Sequence, residues 1–256
     1  MEREGVFLAC PLYDGRLDAG AARSLFSTAS QQRLHVIPAP QTASLLSANC
    51  NSLWCAALNA REESNVKWFA MLHADIEPDW WWLDTLFAEA ERHGADLLAA
   101  VVPLKDGTGL TSTAIARPGS RYLPFCRLTM RQVRHELFPE TFGIVEAADA
   151  LERLPGELRV AGVPREALLV NTGCFVCRLD RPWCERVWFT INDAIEQVNG
   201  KWAVKTQSED WTFSRMAAEQ GAKVMATRIL PLAHKGSGQF HSTLAWGYPS
   251  DPGCRL

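Results

Sequence analysis

Acidic side chains follow an apolar segment in the run His73-Ala74-Asp75-Ile76-Glu77-Pro78. Residues 67–73 predict a buried strand, so Asp75 and Glu77 come where that strand ends and a helix follows. Open α/β sheets bind ligands at the carboxyl ends of their strands. Two carboxylates two residues apart can both reach a hard divalent cation, which neutralises phosphate oxygens. The alternative is a pair of solvated loop acids near a helix N-terminus, where negative charge is favourable anyway. This segment alone does not separate the two interpretations.

A second acidic group stands at Ser208-Glu209-Asp210-Trp211, where a helix over 208–220, closed by Gly221, is predicted to begin. A catalytic interpretation needs a carboxylate that accepts the proton of an attacking hydroxyl. A structural interpretation needs only Ser208 as a cap and two acids that complement the helix dipole. Taken alone, the segment favours the structural interpretation, because acidic helix N-termini are common.

The third group is His234-Lys235-Gly236-Ser237-Gly238, just after the last predicted strand. A neutral imidazole can complete a metal site, and a lysine with glycine-rich backbone N–H groups suits phosphates. A single histidine in a polar loop is more often only a surface residue.

Other motifs are excluded. The pair Cys174 and Cys177 lies in an apolar run with Cys184 as its one neighbour, which is short of the four ligands of a structural zinc site. We therefore interpret the pair as structural. The sequence has no P-loop, no dinucleotide-binding glycine pattern after the first strand and no G-x-S-x-G motif. The eight cysteines are expected to be buried thiols.

The composition of the 256 residues is that of an ordinary globular protein, with 47% hydrophobic and 21% charged residues. A net charge of -3 gives no sign of a nucleic-acid partner. The charged start Met1-Glu2-Arg3-Glu4 does not resemble a signal peptide, and no apolar stretch approaches the roughly 20 residues that span a bilayer. The expected location is therefore the cytoplasm.

The elements that would position these groups follow from hydrophobic periodicity. Apolar runs alternate with helical patterns over the first two-thirds of the chain, which is typical of a βαβ series. Proline at 38 and 40 is expected to stop the second strand, Asp79 to cap a helix and Gly94 to end it. Residues 105–164 predict an irregular loop with one or two hairpins, and the tail from Pro231 is polar. The predicted strands are 6–11, 34–37, 67–73, 96–102, 168–179 and 223–229, and the predicted helices are 19–30, 44–60, 79–93 and 208–220.

In this order, the motifs resemble those of a family 2-type glycosyltransferase of the GT-A fold. The matching pieces extend from residue 6 to about residue 240, nearly the whole chain, and each is short. They are an apolar strand ending in Pro11-Leu12-Tyr13-Asp14, the strand that leads to Asp75 with Glu77, Pro78 and Trp82-Leu83 after it, Asn171-Thr172-Gly173 before Arg178, Ser208-Glu209-Asp210-Trp211, and His234.

The resemblance implies a mixed, mostly parallel central sheet flanked by helices, in a single domain over residues 1–256. Residues 1 to about 104 would form its nucleotide-binding half and about 105–256 its acceptor-binding half. It also implies transfer of a sugar from a UDP- or GDP-sugar to a hydroxyl-bearing acceptor, with inversion and with Mn²⁺ or Mg²⁺ bound. The acceptor class is open: a saccharide, a lipid, a protein or a small molecule.

Residue roles follow from the same resemblance. Asp75, Glu77 and His234 would hold the metal, and Asp210, in a motif with Glu209, would be the general base. The donor would contact residues from several segments, and the sequence does not choose between Asn49 and Asn51 in one of them. These donor contacts are Pro11, Tyr13, Asp14, Ser44, Asn51, His73, Ala74 and Lys235. Trp211, Trp183 and Trp246 are candidates for an acceptor platform, with core packing as the alternative for each.

One position departs from the family pattern, because His73 stands where the first Asp of the motif is expected. Either Glu77 restores the lost charge, or His73 itself ligates the metal or contacts the ribose. Two other functions stay open: a nucleotidyltransferase of related fold, which would need a glycine-rich basic loop that residues 11–15 lack, and a degenerate nucleotide-sugar-binding protein, for which His73 would mark lost activity.

Overall fold

The computed structural model describes residues 5–29 and 35–247. Fifteen strands and six α-helices are formed. The strands are β1 (Gly5–Leu12), β2 (His35–Thr42), β3 (Val66–Leu72), β4 (Ile76–Pro78), β5 (Leu97–Ala100), β6 (Leu110–Ala116), β7 (Pro124–Thr129), β8 (Thr141–Phe142), β9 (Leu168–Leu169), β10 (Cys174–Arg178), β11 (Asn192–Val198), β12 (Lys201–Gln207), β13 (Val224–Thr227), β14 (Leu232–Lys235) and β15 (Gln239–His241). The helices are α1 (Ala19–Ala29), α2 (Leu46–Ser64), α3 (Trp82–His93), α4 (Met130–Val133), α5 (Ile144–Arg153) and α6 (Glu209–Glu219).

A seven-stranded central sheet has the order β2-β1-β3-β10-β5-β13-β8. Strand β1 is parallel to both β2 and β3, and β13 is parallel to β5. Strand β10 runs antiparallel between β3 and β5, and β8 is antiparallel to β13. The predicted fold class, a mixed and mostly parallel sheet flanked by helices, is confirmed.

Apart from the edge strand β2, both faces of this sheet are buried, which explains why its inner strands are continuous apolar runs. Alternate residues of each strand enter different clusters: Phe69 joins the cluster that contains α2, α5 and α6, whereas Trp68 joins the cluster that contains α3. Cys174 and Cys177 divide in the same way, with buried free thiols on opposite faces, as expected for structural residues. Cys55 is exposed, contrary to the expectation for all cysteines, and Cys254 lies outside the described residues.

The second strand is longer than predicted. Prolines 38 and 40 do not stop it, and β2 pairs with β1 from His35 through to Thr42. The reason is position: β2 is at the edge of the sheet, where proline is tolerated on the unpaired side. Two residues apart, both prolines share one side of the strand, so the ladder to β1 is kept. Leu34 and Ser30, included in the predicted elements, lie outside the described residues.

The predicted strand over 168–179 is two strands in two sheets. Strand β9 pairs with β6, and β10 lies in the central sheet. Between them the chain turns at Asn171, whose Oδ1 accepts a hydrogen bond from the Gly173 amide at 2.6 Å. Asparagine favours such local turns because its side chain replaces a backbone partner. An apolar run on each side concealed this break.

For α3, the predicted end is confirmed and the predicted start is wrong. Gly94 ends α3 in the left-handed conformation with φ 61, as expected. Asp79 does not cap α3, because the helix begins only at Trp82 and Trp81 holds the cap position. Ser208 holds the cap position of α6 without a side-chain cap bond.

Three regions hold more structure than the sequence predicted, one of them the two-stranded sheet of β11 and β12, which no predicted element covered. Residues 105–164 contain the expected hairpin, β6–β7, and also the helix α5. At the start of α5, the Gly143 amide donates a hydrogen bond to Glu146 Oε2 at 3.0 Å. The polar tail forms the hairpin β14–β15, which pairs with β4 in a separate three-stranded sheet. In residues 5–29 and 35–247, no helix combines the length and apolarity needed to cross a bilayer.

Candidate functional site

A cleft of about 470 Å³ opens where β1 and β3 end. Because these strands are parallel, the loops that follow them meet at the same edge of the sheet. Seven of the site residues predicted from the sequence lie in its wall. The lining residues are Pro11, Tyr13, Asp14, Arg16, Leu17, Asp18, Leu46, His73, Ala74, Asp75, Lys235 and Gly236.

Asp75 is fixed in the cleft by backbone pairing. Its carbonyl accepts a hydrogen bond from the Lys235 amide at 2.8 Å, and the next residue, Ile76, pairs with His234 as β4 joins β14. The tail hairpin therefore brings the third predicted group to the first. This long-range pairing is what the sequence pattern alone did not predict.

The Asp75 carboxylate faces two basic side chains. Its Oδ2 lies 2.5 Å from Lys105 Nζ and 3.6 Å from His234 Nε2. Burial by itself raises the pKa of Asp75, but the interactions with His234 and with Lys105 outweigh burial and hold the pKa well below its ordinary value. Asp75 is therefore an ionised carboxylate over the whole physiological pH range.

His234 is oriented by its other ring nitrogen. Nδ1 lies 2.8 Å from the carbonyl oxygen of Pro103, which can only accept, so Nδ1 carries the proton. This leaves Nε2 toward Asp75, at a distance longer than a direct hydrogen bond. The interaction is an ion pair when the imidazole is charged.

Glu77 does not join Asp75. Its carboxylate pairs with Arg23, and its Oε2 lies 2.6 Å from Lys235 Nζ. The side chain packs against α1 at Gly20, where an added Cβ would lie 2.2 Å from the Glu77 carboxyl carbon. The two carboxylates therefore take different cationic partners, Lys105 for Asp75 and Arg23 with Lys235 for Glu77.

The predicted metal ligands can now be tested against their surroundings. Asp75 and His234 are neighbours, whereas Glu77 is engaged by Arg23 and Lys235. Within the described ranges, no group of three His, Cys, Asp or Glu side chains is placed to hold a metal ion. Lys105 Nζ also lies 2.5 Å from Oδ2, the Asp75 oxygen that faces His234. The donor set of the described residues therefore does not fit the predicted divalent metal.

His73, the departure from the family motif, lies in the cleft wall between Asp75 and the acids of α6. Its amide donates to the Gly173 carbonyl at 2.8 Å. Its buried Nε2 has no hydrogen-bond partner among the described residues. Burial lowers the pKa of His73, so the ring is neutral. A buried imidazole nitrogen without a partner, beside a cleft, is available to a ligand.

Asp210 is held by the turn that precedes β10. Its Oδ2 accepts from Asn171 Nδ2 at 3.1 Å, and its Oδ1 accepts from the Thr172 amide at 3.2 Å and from the Thr172 hydroxyl. Burial raises the pKa of Asp210, and the hydrogen bonds from Thr172 oppose that effect only in part. His234 lowers the pKa of both Asp210 and Asp75, so its ring lies close enough to act on both carboxylates.

Glu209, the preceding residue, is buried with 8% of its surface exposed. Burial and the neighbouring Asp210 charge raise its pKa. Two adjacent acids with raised pKa values at one helix start are costly in a purely structural role, because simple dipole complementation works with exposed acids. This observation favours the catalytic interpretation of the second acidic group.

Some of the predicted donor contacts line the cleft, and others lie outside its wall. Tyr13 and Asp14 lie at the cleft with Pro11, and Tyr13 is 71% exposed, so its ring is open to a ligand. Ser44 is exposed before α2 and is not in the cleft wall. The Asn51 amide group is bonded on both sides to the backbone of Phe189, at 2.7 Å each, outside the cleft wall.

The alternative asparagine, Asn49, has a clear structural contact. Its Nδ2 donates to the carbonyls of Leu12 and Gln41 at 3.1 and 2.8 Å, which ties the ends of β1 and β2 together. The aromatic candidates also pack internally: Trp211 and Trp183 are each 4% exposed, and Trp211 Nε1 donates to the Ser112 carbonyl at 2.7 Å. Trp246 stacks on Phe240 with ring centroids 6.0 Å apart.

Sequence reasoning missed Lys105. It follows β5 by a few residues and so obeys the same strand-end rule that identified Asp75. The signal was hidden because residues 105–164 showed weak periodicity and were interpreted as an irregular loop.

No protein-family model matches the sequence, and no curated protein sequence matches it. Similar solved structures include A197 from STIV, with 12% identity, TM-score 0.46 and coverage of 91% of this chain and 86% of that chain. S. aureus TarS 1-349 in complex with UDP-GlcNAc shows 8% identity, TM-score 0.43 and coverage of 87% and 55%. UDP-glucose pyrophosphorylase complexed with UDP-glucose shows 9% identity, TM-score 0.39 and coverage of 88% and 90%. This chain thus spans little more than half of the TarS chain. At this distance the function is argued from the site itself.

Proposed function

We propose that this chain is a glycosyltransferase that moves a sugar from a nucleotide-diphospho-sugar to a hydroxyl acceptor. The observation that carries the proposal is the combination of a cleft lined by Tyr13, Asp14 and Lys235 with a partly buried carboxylate, Asp210, which Asn171 and Thr172 hold in place and whose pKa is raised. The cleft supplies an aromatic ring for the nucleobase, a carboxylate that accepts hydrogen bonds from the ribose, and an ammonium group for the phosphates. Asp210 supplies a proton acceptor.

The donor would lie in the cleft at the strand ends. The exposed Tyr13 ring offers a face for the nucleobase, and the Asp14 carboxylate accepts hydrogen bonds from ribose hydroxyls. The diphosphate would lie toward Lys235 and the backbone of Gly236. The unpartnered Nε2 of His73 would meet the sugar or the ribose.

The transfer step is a direct displacement. The acceptor hydroxyl oxygen bonds to the anomeric carbon as the bond from that carbon to the diphosphate oxygen breaks. The leaving diphosphate keeps the electron pair, and the hydroxyl proton passes to the Asp210 carboxylate. Thr172 and Asn171 hold that carboxylate in one orientation. Attack from the face opposite the leaving group inverts the configuration.

The experiment follows donor cleavage with water as the acceptor, because the natural acceptor is not known. The purified chain is incubated with UDP- and GDP-hexoses, and both nucleoside diphosphate and inorganic pyrophosphate are measured. Release of a nucleoside diphosphate with free sugar supports the proposal. Consumption of a nucleotide sugar only in the presence of pyrophosphate, with nucleoside triphosphate formed, identifies a nucleotidyltransferase instead. Binding with no cleavage, unaltered in Asp210→Asn, identifies a binding protein.

A further inference from the structure

We infer that the ammonium group of Lys105 takes the place of the divalent metal at this site, so that diphosphate binding requires no metal. The inference rests on the proposed function and specifies how that site balances the charge of its donor. The three metal ligands predicted from the sequence do not come together in the fold, because Glu77 pairs with Arg23 and Lys235.

The position of Lys105 is built into the fold. Its Nζ lies 2.5 Å from Asp75 Oδ2, and both side chains are a little over one-third exposed, so the pair faces solvent at the cleft. Its aliphatic stem passes over Gly236, where an added Cβ would lie 3.2 Å from Lys105 Cδ. Gly236 lines the cleft beside Lys235. The Lys105 stem thus reaches the cleft by packing closely against the Gly236 backbone.

A metal and this ammonium group compete for the same oxygen. A divalent cation shared by Asp75 and His234 would lie about 2.0–2.6 Å from the Asp75 oxygen. Lys105 Nζ already lies within that range of Oδ2, and two cations at one carboxylate oxygen repel each other. Glu77, which would have supplied further negative charge for a metal, is neutralised by Arg23 and Lys235.

Lys105 and Lys235 together suit a diphosphate. Each is held by a carboxylate, Asp75 and Glu77 respectively, so each ammonium is fixed in direction while donors remain for a ligand. When the bond to the anomeric carbon breaks, the leaving diphosphate gains negative charge. A preorganised cation at that point stabilises the charge without reorganisation.

The test measures binding of UDP, GDP, CDP, ADP and dTDP by calorimetry, in EDTA and in Mn²⁺. We expect at least one nucleoside diphosphate to bind in EDTA with an affinity within about threefold of that in Mn²⁺. Lys105→Gln is expected to weaken that binding by about tenfold or more, because a charge-assisted hydrogen bond is lost, while binding of the parent nucleoside stays unchanged. Lys201→Gln, at an exposed lysine of β12 outside the cleft wall, is the matched control.

Two results would overturn the inference while leaving the proposed function intact: binding that disappears in EDTA and returns with Mn²⁺, or Lys105→Gln binding the diphosphate as well as the wild type. If no nucleoside diphosphate binds under either condition, the proposed function fails and the inference with it. Circular dichroism and melting of each variant verify that Lys105→Gln is folded before its binding is compared. A second variant, Lys105→Arg, keeps the charge and is expected to bind within about threefold of the wild type.

Discussion

Asp75 and Asp210 contact loops at the same edge of the central sheet, yet their surroundings differ. Asp75 faces the basic side chains of Lys105 and His234, which hold its pKa well below the ordinary value. Asp210 faces neutral donors, the Thr172 hydroxyl and amide and the Asn171 amide, and burial raises its pKa. Two identical side chains at one edge of the sheet are therefore suited to different chemistry.

The difference assigns a task to each group. An aspartate whose pKa is lowered stays charged and can anchor cations beside a phosphate. An aspartate whose pKa is raised is a stronger base and so a better proton acceptor in a transition state. Pairs of carboxylates whose environments push their pKa values apart are the pattern by which acid and base roles are recognised. The three predictions below test this division.

The largest effect is expected for Asp210→Asn. Loss of the proton acceptor should lower donor cleavage by about 100- to 10,000-fold while donor affinity changes by less than about threefold. Steady-state release of nucleoside diphosphate and calorimetry measure the two quantities. Asp193→Asn, at an exposed aspartate of β11, is the control. A variant that keeps more than about one-tenth of the wild-type rate would remove Asp210 from the mechanism.

A smaller effect is expected for Thr172→Val, which removes the fully buried hydroxyl that donates to Asp210. This hydroxyl lowers the pKa of Asp210, so its loss should raise that pKa further. The acid limb of the pH–rate profile is then expected to move up by about one pH unit, with little change in KM. Thr172→Ser keeps the hydroxyl and should restore the profile. An unmoved acid limb would show that Thr172 only packs.

The smallest effect is expected in the pH dependence of stability, which should differ between Asp75→Asn and Asp210→Asn. The lowered pKa of Asp75 gives stability that is present above the unfolded value of 3.8 and is lost only as pH falls through the lower folded pKa. The raised pKa of Asp210 gives stability that is present below its unfolded value and is lost as pH rises through the folded pKa.

Melting temperatures between pH 5 and pH 8 measure both. The gap between wild type and Asp75→Asn should stay constant over this range. Asp210→Asn should gain on the wild type as pH rises, by about 2–4 °C for each kcal/mol. Parallel curves for the two variants would mean that the environments do not differ as described.

Much of the site was predictable because its residues follow apolar strands. Tyr13, Asp14 and Asp75 come directly after β1 and β3, and the strand-end rule brings them together without knowledge of the packing. The central strands β1, β3, β5 and β13 and the helices α1, α2, α3 and α6 were likewise visible, because these strands are buried apolar runs.

What escaped prediction depends on contacts between distant segments. The Lys105–Asp75 pair joins residues separated by 30 positions, and no local pattern encodes it. The direction of Glu77 depends on α1 and on Lys235, which reach it only after the tail hairpin has paired with β4. The turn at Asn171 was concealed by apolar residues on both sides, although it holds Asp210.

The prolines of β2 have a consequence beyond the length of that strand. An open sheet edge is a template on which a strand of another molecule can add, and natural proteins block such edges with residues that cannot pair. Since β2 keeps its full register with β1, the nitrogens of Pro38 and Pro40 offer no hydrogen to a strand arriving from outside. The same two residues therefore protect this side of the molecule against edge-to-edge aggregation.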